Sequence, residues 1–183
     1  MKIFTFAQGS TCDAANVSVD SAARLRNEPF FVPDDQPWCA DIYLGVKITR
    51  LGMNIATRFA PRYYGPLTVV AHPRAPRTDY EWSRDAAVVV NGELDIKACP
   101  AECTLTVSGS DGSDSPFEAR TRIGLEPLLA DINSRISDIS RWHTLKTGDI
   151  VALKTTIEPL PMPIGADYRI SLDGNEMLHL KAR

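Results

Sequence analysis

Four groups in this chain have side chains able to do chemistry, and each falls at or near the end of an apolar run. Asp41 and Tyr43 interleave with Ile42, Leu44, Val46 and Ile48, so both belong to the face of a strand opposite that apolar set, with Gly45 and Lys47. His72 follows the compact apolar run at 67–71, and Lys154-Thr155-Thr156 follows Ile150-Val151-Ala152-Leu153. Asp41, His72 and Lys154 are types that take and give protons, and a desolvated lysine is also a nucleophile. As metal ligands, Asp41 and His72 make two where a stable site uses three or four. Asp34, Asp35, Asp79 and Asp85 lie in nearby loops, with no spacing that recruits them. The plainer expectation makes His72 a hydrogen-bonded strand-end histidine and Lys154 a solvated or salt-bridged lysine. His143 and His179 are read as structural, and no Ser-His-Asp order or nucleophile elbow occurs.

The elements that must position these groups are short. In TLKTGDIVALKTT (144–156), Gly148-Asp149 supplies a turn, because glycine reaches positive φ and Asp bonds its own backbone; an apolar strand follows. Residues 52–59 are expected to make a short helical turn with Met53, Ile55, Ala56 and Phe59 on its apolar side. Asn91-Gly92 predicts a hairpin joining 86–90 to 93–97. A strand is expected at 103–107, then a flexible loop, SGSDGSDS, at 108–115. One long helix is predicted over about 126–142, where Leu125, Leu128, Leu129, Ile132, Ile136, Ile139 and Trp142 recur at helical steps and Pro127 suits the first turn. A last hairpin joins 168–172 to 177–181 through Asp173-Gly174-Asn175. Many short strands with one long helix predict an α+β, mostly β, single domain over 1–183.

Composition narrows the function classes. A chain of 183 residues with 44% hydrophobic and 23% charged residues is that of an ordinary globular protein. Its formal net charge of −3 argues against nucleic acid or an anionic membrane as partner, despite the arginines between Arg50 and Arg84 and the RYYG at 62–65. No apolar run approaches the roughly 20 residues of a membrane span, and MKIFTFAQGSTC is too short in its apolar part for a secretory signal. The expected location is the cytoplasm, where Cys12, Cys39, Cys99 and Cys103 stay reduced. Cys99 and Cys103 would be half a zinc site, but no second pair has ligand spacing.

An amphipathic helix, then TLKTGD, an apolar strand and PxxxGxxYxxxxxG resembles the C-terminal core of the fumarylacetoacetate hydrolase family. LGMNIATRFAPRYYG at 51–65 and DSAARLRNEPFFVPDD at 20–35 agree with it, as in a small bacterial member. The resemblance implies a mixed β-sandwich or roll with one long helix and short helical turns, and generally a homodimer. It also implies a Mg²⁺, Mn²⁺ or Ca²⁺ ion on carboxylates that cleaves or rearranges β-diketo and 2-oxo acids.

At the positions that bear this chemistry the chain departs from the family. Asp41 and Tyr43 stand where the resemblance places two glutamates, and His72 where it places an aspartate. A phenol and an imidazole are poor partners for a hard ion. Pro76 and Asp79 replace an arginine and a glutamine, and Leu153-Lys154-Thr155-Thr156 replaces Thr-Gly-Thr-Pro, keeping Thr155 alone. The expectation is a degenerate member without a metal cofactor, holding a small carboxylic acid through Arg74, Arg77 or Lys154, or serving as a dimer scaffold. The alternative is an active hydrolase, decarboxylase or isomerase of a 2-oxo or β-diketo acid, with Asp41, Tyr43, His72, Lys154 and Thr155 as pocket candidates and Mg, Mn or Ca retained.

Overall fold

The computed structural model describes residues 1–7, 16–19, 23–25, 28–32, 37–75, 88–113 and 116–183. Its strands are β1 (Lys2–Phe6), β2 (Asn16–Val19), β3 (Ala23–Leu25), β4 (Cys39–Ile48), β5 (Tyr64–Arg74), β6 (Val88–Val90), β7 (Glu102–Ser110), β8 (Pro116–Gly124), β9 (Ile150–Lys154), β10 (Leu160–Pro161), β11 (Asp167–Leu172) and β12 (Asn175–Lys181). One helix, α1 (Leu125–Trp142), packs with them. The larger sheet has the order β2-β1-β9-β4-β5-β6-β3, with β10 added to β4, and the smaller runs β12-β11-β7-β8. This is the α+β, mostly β architecture that the sequence predicts.

The two sheets and the helix share one core. Ile42, Leu44, Val46 and Ile48 of β4 join Phe4, Phe6, Leu105, Val107, Ile132, Ile136, Tyr168, Ile170, Leu178 and Leu180 in a single buried cluster. Each such side chain contributes about 1.5–3 kcal/mol when removed from water. The other face of the larger sheet is buried as well, around Ile3, Tyr43, Val70, Val90, Ile150 and Ala152.

The TLKTGD turn is tied down from three sides. Gly148 takes φ +93, and the buried Asp149 carboxylate accepts the N–H of Lys146 at 2.9 Å and that of Lys2 at 2.7 Å. Ile48 N–H donates to the Asp149 carbonyl at 2.7 Å. One aspartate therefore registers β1 and the turn while its backbone holds β4. The parallel pairing of β1 with β9 follows from it, with Ile3 opposite Ile150 and Phe6 opposite Leu153. Sequence pattern did not single out β1 as a strand.

Several local expectations are corrected. The helical turn lies at Thr57–Arg62, not at 52–59, because both backbone groups of Gly52 pair with Leu145 and Asn54 takes a positive φ of 53. Asn91-Gly92 does not make a hairpin. Gly92 N–H donates to the Met177 carbonyl at 2.6 Å, Leu94 bridges Leu67, and Ile96–Ala98 is a 3-10 turn. Ser108–Ser110 continues β7 where a loop is expected, and β8 completes a hairpin that the sequence does not announce. In α1, Trp142 leaves the apolar stripe and is 81% exposed; beyond the helix, Leu145 takes the buried position at that end.

Strands β4 and β9 are closely apposed at Gly45. A Cβ there would lie 2.2 Å from the Val151 carbonyl oxygen and 2.4 Å from Ala152 Cα, backbone that has nowhere to go. Gly45→Ala is expected to cost about 3 kcal/mol of unfolding free energy, read as a lower urea midpoint. A change under about 0.5 kcal/mol, the ordinary surface range, would contradict this apposition.

Candidate functional site: a carboxylate between two cations

The site is built by the register of three neighbouring strands. Tyr43 on β4 is opposite Lys154 on β9, and Asp41 is opposite His72 on β5. Side chains across a ladder share a face, so the register brings His72 and Lys154 to the face that alternation gives Asp41 and Tyr43. Arg74, two residues beyond His72 at the end of β5, joins them, as does Cys39 opposite it.

Asp41 is 5% exposed and lies between two cations. Arg74 Nε donates to Oδ2 at 2.7 Å, and Lys154 Nζ lies 2.9 Å from Oδ1. Burial pushes the Asp41 carboxyl up, but the hydrogen bonds and charges of Arg74 and Lys154 outweigh it and hold the group below its ordinary 3.8. The same contact with Asp41 raises the Arg74 guanidinium further above its ordinary value. Arg74 and Lys154 are 42% and 28% exposed in their side chains, so two positive charges reach toward water over one buried negative charge.

The other candidates divide. Tyr43 is 4% exposed and belongs to the apolar cluster of the outer face, its ring 6.5 Å from that of His72. His72 is equally buried. Thr155 is turned inward: its hydroxyl and its N–H both donate to the Ile42 carbonyl at 2.9 Å, so it anchors the end of β9 to β4. Arg77, with Pro76, Asp79, Asp85, Asp34, Asp35 and Cys12, lies outside the described residues. His143 caps α1 with its ring 5.8 Å from Phe4, and His179 pairs with Asp167 at 2.6 Å. Cys103 Sγ reaches the Pro100 carbonyl, and burial with Asp173 beside it pushes the thiol up to about 12.

Cys39 is the site residue that sequence reasoning passed over. It sits among Arg74, Asp41 and Lys154, yet burial dominates the cations and raises its thiol. Its even spacing from Asp41 along one strand was the available signal.

The donor set does not fit a hard divalent ion. Such ions take several oxygen ligands, and here each carboxylate oxygen faces a side-chain cation. Its neighbours are a phenol and an imidazole. Among the described residues no three His, Cys, Asp or Glu side chains converge as a metal site.

No protein-family model and no curated protein sequence matches this chain. Solved structures do match in shape. One is a provisionally assigned fumarylacetoacetate hydrolase family protein from Yersinia pestis CO92, with TM-score 0.76 and 16% identity over 100% of this chain and 92% of that one. Maleylpyruvate hydrolase from Sphingobium sp. SYK-6, solved with manganese(II) and pyruvate, gives 0.75 and 18% over 99% and 70%. Fumarylpyruvate hydrolase from Pseudomonas aeruginosa, with Mn²⁺ and pyruvate, gives 0.75 and 12% over 100% and 89%. The chain has the fumarylacetoacetate hydrolase fold. At these identities the likeness is one of fold, and activity has to be argued from the site.

Asp41 is expected to carry a pH signature. Its folded pKa is depressed, so its contribution is complete above the unfolded value near 3.8 and fades as pH falls below that toward the folded pKa. Asp41→Asn should cost about 2 kcal/mol at pH 7, less than a fully buried pair because both cations keep contact with water. The gap between variant and parent should narrow as the pH of urea titrations is taken below 3.8. A gap independent of pH would show that the carboxylate is not held ionised by its neighbours.

Proposed function

We propose that this chain is a fumarylacetoacetate hydrolase family protein in which two side-chain cations replace the metal ion and metal-dependent hydrolase, isomerase or decarboxylase activity is lost. The observation that carries the reading is the Asp41 carboxylate, one oxygen on Arg74 and the other on Lys154. A divalent ion placed on Asp41 would meet both cations at short range. One unit-charge repulsion at 4 Å is about 4 kcal/mol at an effective dielectric of 20, and a divalent ion doubles it; exposure of both side chains makes this a ceiling. Displacing Lys154 would be required before the carboxylate could ligate.

What remains suits an anion. Two cations over one carboxylate leave one net positive charge, with guanidinium donors set for a carboxylate. The proposal therefore keeps a small-acid ligand at Arg74 and Lys154, without a metal, and includes a cytoplasmic homodimer. Among the described residues no helix is long and apolar enough to cross a membrane. The competing reading, an active enzyme on a 2-oxo or β-diketo acid, needs a group free to take up a proton. Asp41, ionised and bound on both oxygens, is poorly placed for that.

Manganese titration followed by calorimetry is expected to give no stoichiometric binding up to about 1 mM, which corresponds to less than about 4 kcal/mol of affinity. Tight one-to-one Mn²⁺ binding would overturn the loss of the metal. Pyruvate should bind the metal-free protein, and Arg74→Met should weaken it at least about tenfold, the scale of one charge-assisted pair. Unchanged pyruvate binding in Arg74→Met would remove the acid from this cluster. A strictly monomeric protein across a concentration series would count against the homodimer.

A further inference from the structure

A second concavity opens on the core side of the same strands, bordered at its edge by Lys154 of the ion cluster. Leu44 and Leu153, paired across β4 and β9 on the core side, contribute to its lining beneath Ile123 and Gly124 of β8 and Pro127 and Leu128 of α1. Its volume is about 280 Å³. At about 30 Å³ for a water-sized group, that is room for roughly nine such groups. Most of its wall is apolar, and its polar members are Arg122, Asp131, Lys154, Thr155 and Thr156.

The charges of these polar members are unequally spent. Asp131 is paired with Arg135 at 3.1 Å, and Lys154 with Asp41 at 2.9 Å. The Thr155 hydroxyl is committed to the Ile42 carbonyl. Arg122 has no ion-pair partner among the described residues; the charged pair on its strand is Arg120 with Glu118. Thr156 and Thr121 share one hydrogen bond between hydroxyls at 2.6 Å, so whichever accepts retains a proton to donate. An apolar hollow with one unspent guanidinium is complementary to an anionic head on a short hydrocarbon body.

We infer that the cleft between β8, β9 and the first turns of α1 is a binding site for a short-chain monocarboxylic acid, its carboxylate on Arg122 and its tail against Leu44, Leu128 and Leu153. Lys154 borders both this cleft and the Asp41 cluster, but the carboxylate is assigned to Arg122, so the inference does not rest on the function proposed for that cluster.

Hexanoate is the probe, because its eight heavy atoms fit the space, and hexanamide is its uncharged counterpart. Calorimetric titration of the full chain should show saturable hexanoate binding in about the millimolar range and at least about fivefold weaker hexanamide binding. Arg122→Met, at an exposed position that folding does not require, should weaken hexanoate at least about tenfold. Leu128→Trp should do the same by filling the hollow, with thermal melting to verify that it folds. Arg120→Met controls for loss of surface charge and should stay within about twofold. Absence of saturable binding by about 20 mM, far above that range, overturns the inference, as does indifference to Arg122→Met. Loss of hexanoate binding in Arg74→Met with none in Arg122→Met also overturns it, while leaving an acid at the ion cluster. Pyruvate measured on the same samples separates the two sites, because Arg122→Met acts on hexanoate and not on pyruvate.

Discussion

The close apposition of β4 and β9, possible only because residue 45 has no side chain, sets the register on which the site depends. With Gly45 opposite Ala152, Tyr43 falls opposite Lys154 and Leu44 opposite Leu153. Side chains alternate with period two, so a slip of one residue would send Lys154 into the apolar core and Leu153 outward. The register is therefore enforced from both faces. One face buries Leu44 and Leu153 with the shared core, and the other buries Tyr43, Ile150 and Ala152 in a second cluster. The Asp149 carboxylate adds a polar lock at the far end by holding Lys2 and Lys146 backbone to the turn that precedes β9.

Given that register, electrostatics decides what the outer face can hold. A buried carboxylate is costly unless compensated. Metal sites compensate with an ion; here the compensation is covalently part of the chain, from the ends of the two strands flanking β4. Lys154 stands where the family resemblance places glycine. Its side chain extends over the sheet toward Asp41, and Thr155 behind it anchors the strand end through the Ile42 carbonyl. Tyr43 serves the same surface as packing, buried among aliphatic side chains.

Much of the fold was legible because it is written in local periodicity. The alternation of β4, the heptad-like stripe of α1, the Gly148-Asp149 turn and the C-terminal hairpin all follow from short-range rules. Misreadings arose where distant partners outbid local preference. Asn91-Gly92 is a strong hairpin signal, yet Gly92 pairs with Met177 and Leu94 with Leu67. Gly52 is drawn into a bridge with Leu145, which moves the helical turn downstream. Strand β1 has too short a pattern to declare itself, and its pairing with β9 comes from nearly the far end of the chain.

The sequence by itself determined the long helix, several of the strands, the mostly β class, and the placement of Asp41 and Tyr43 on one strand face, because these depend on neighbours a few residues apart. The family resemblance read from it also implies a phenol and an imidazole where that family has carboxylates. Tertiary structure alone decided that Arg74 and Lys154 close on the two oxygens of Asp41, that Cys39 belongs beside them, and that Thr155 turns inward. It likewise made the cleft beside Arg122, from residues of β4, β8, α1 and β9. Contacts between residues 33 to 113 positions apart are set by strand register, and register is a property of the whole sheet.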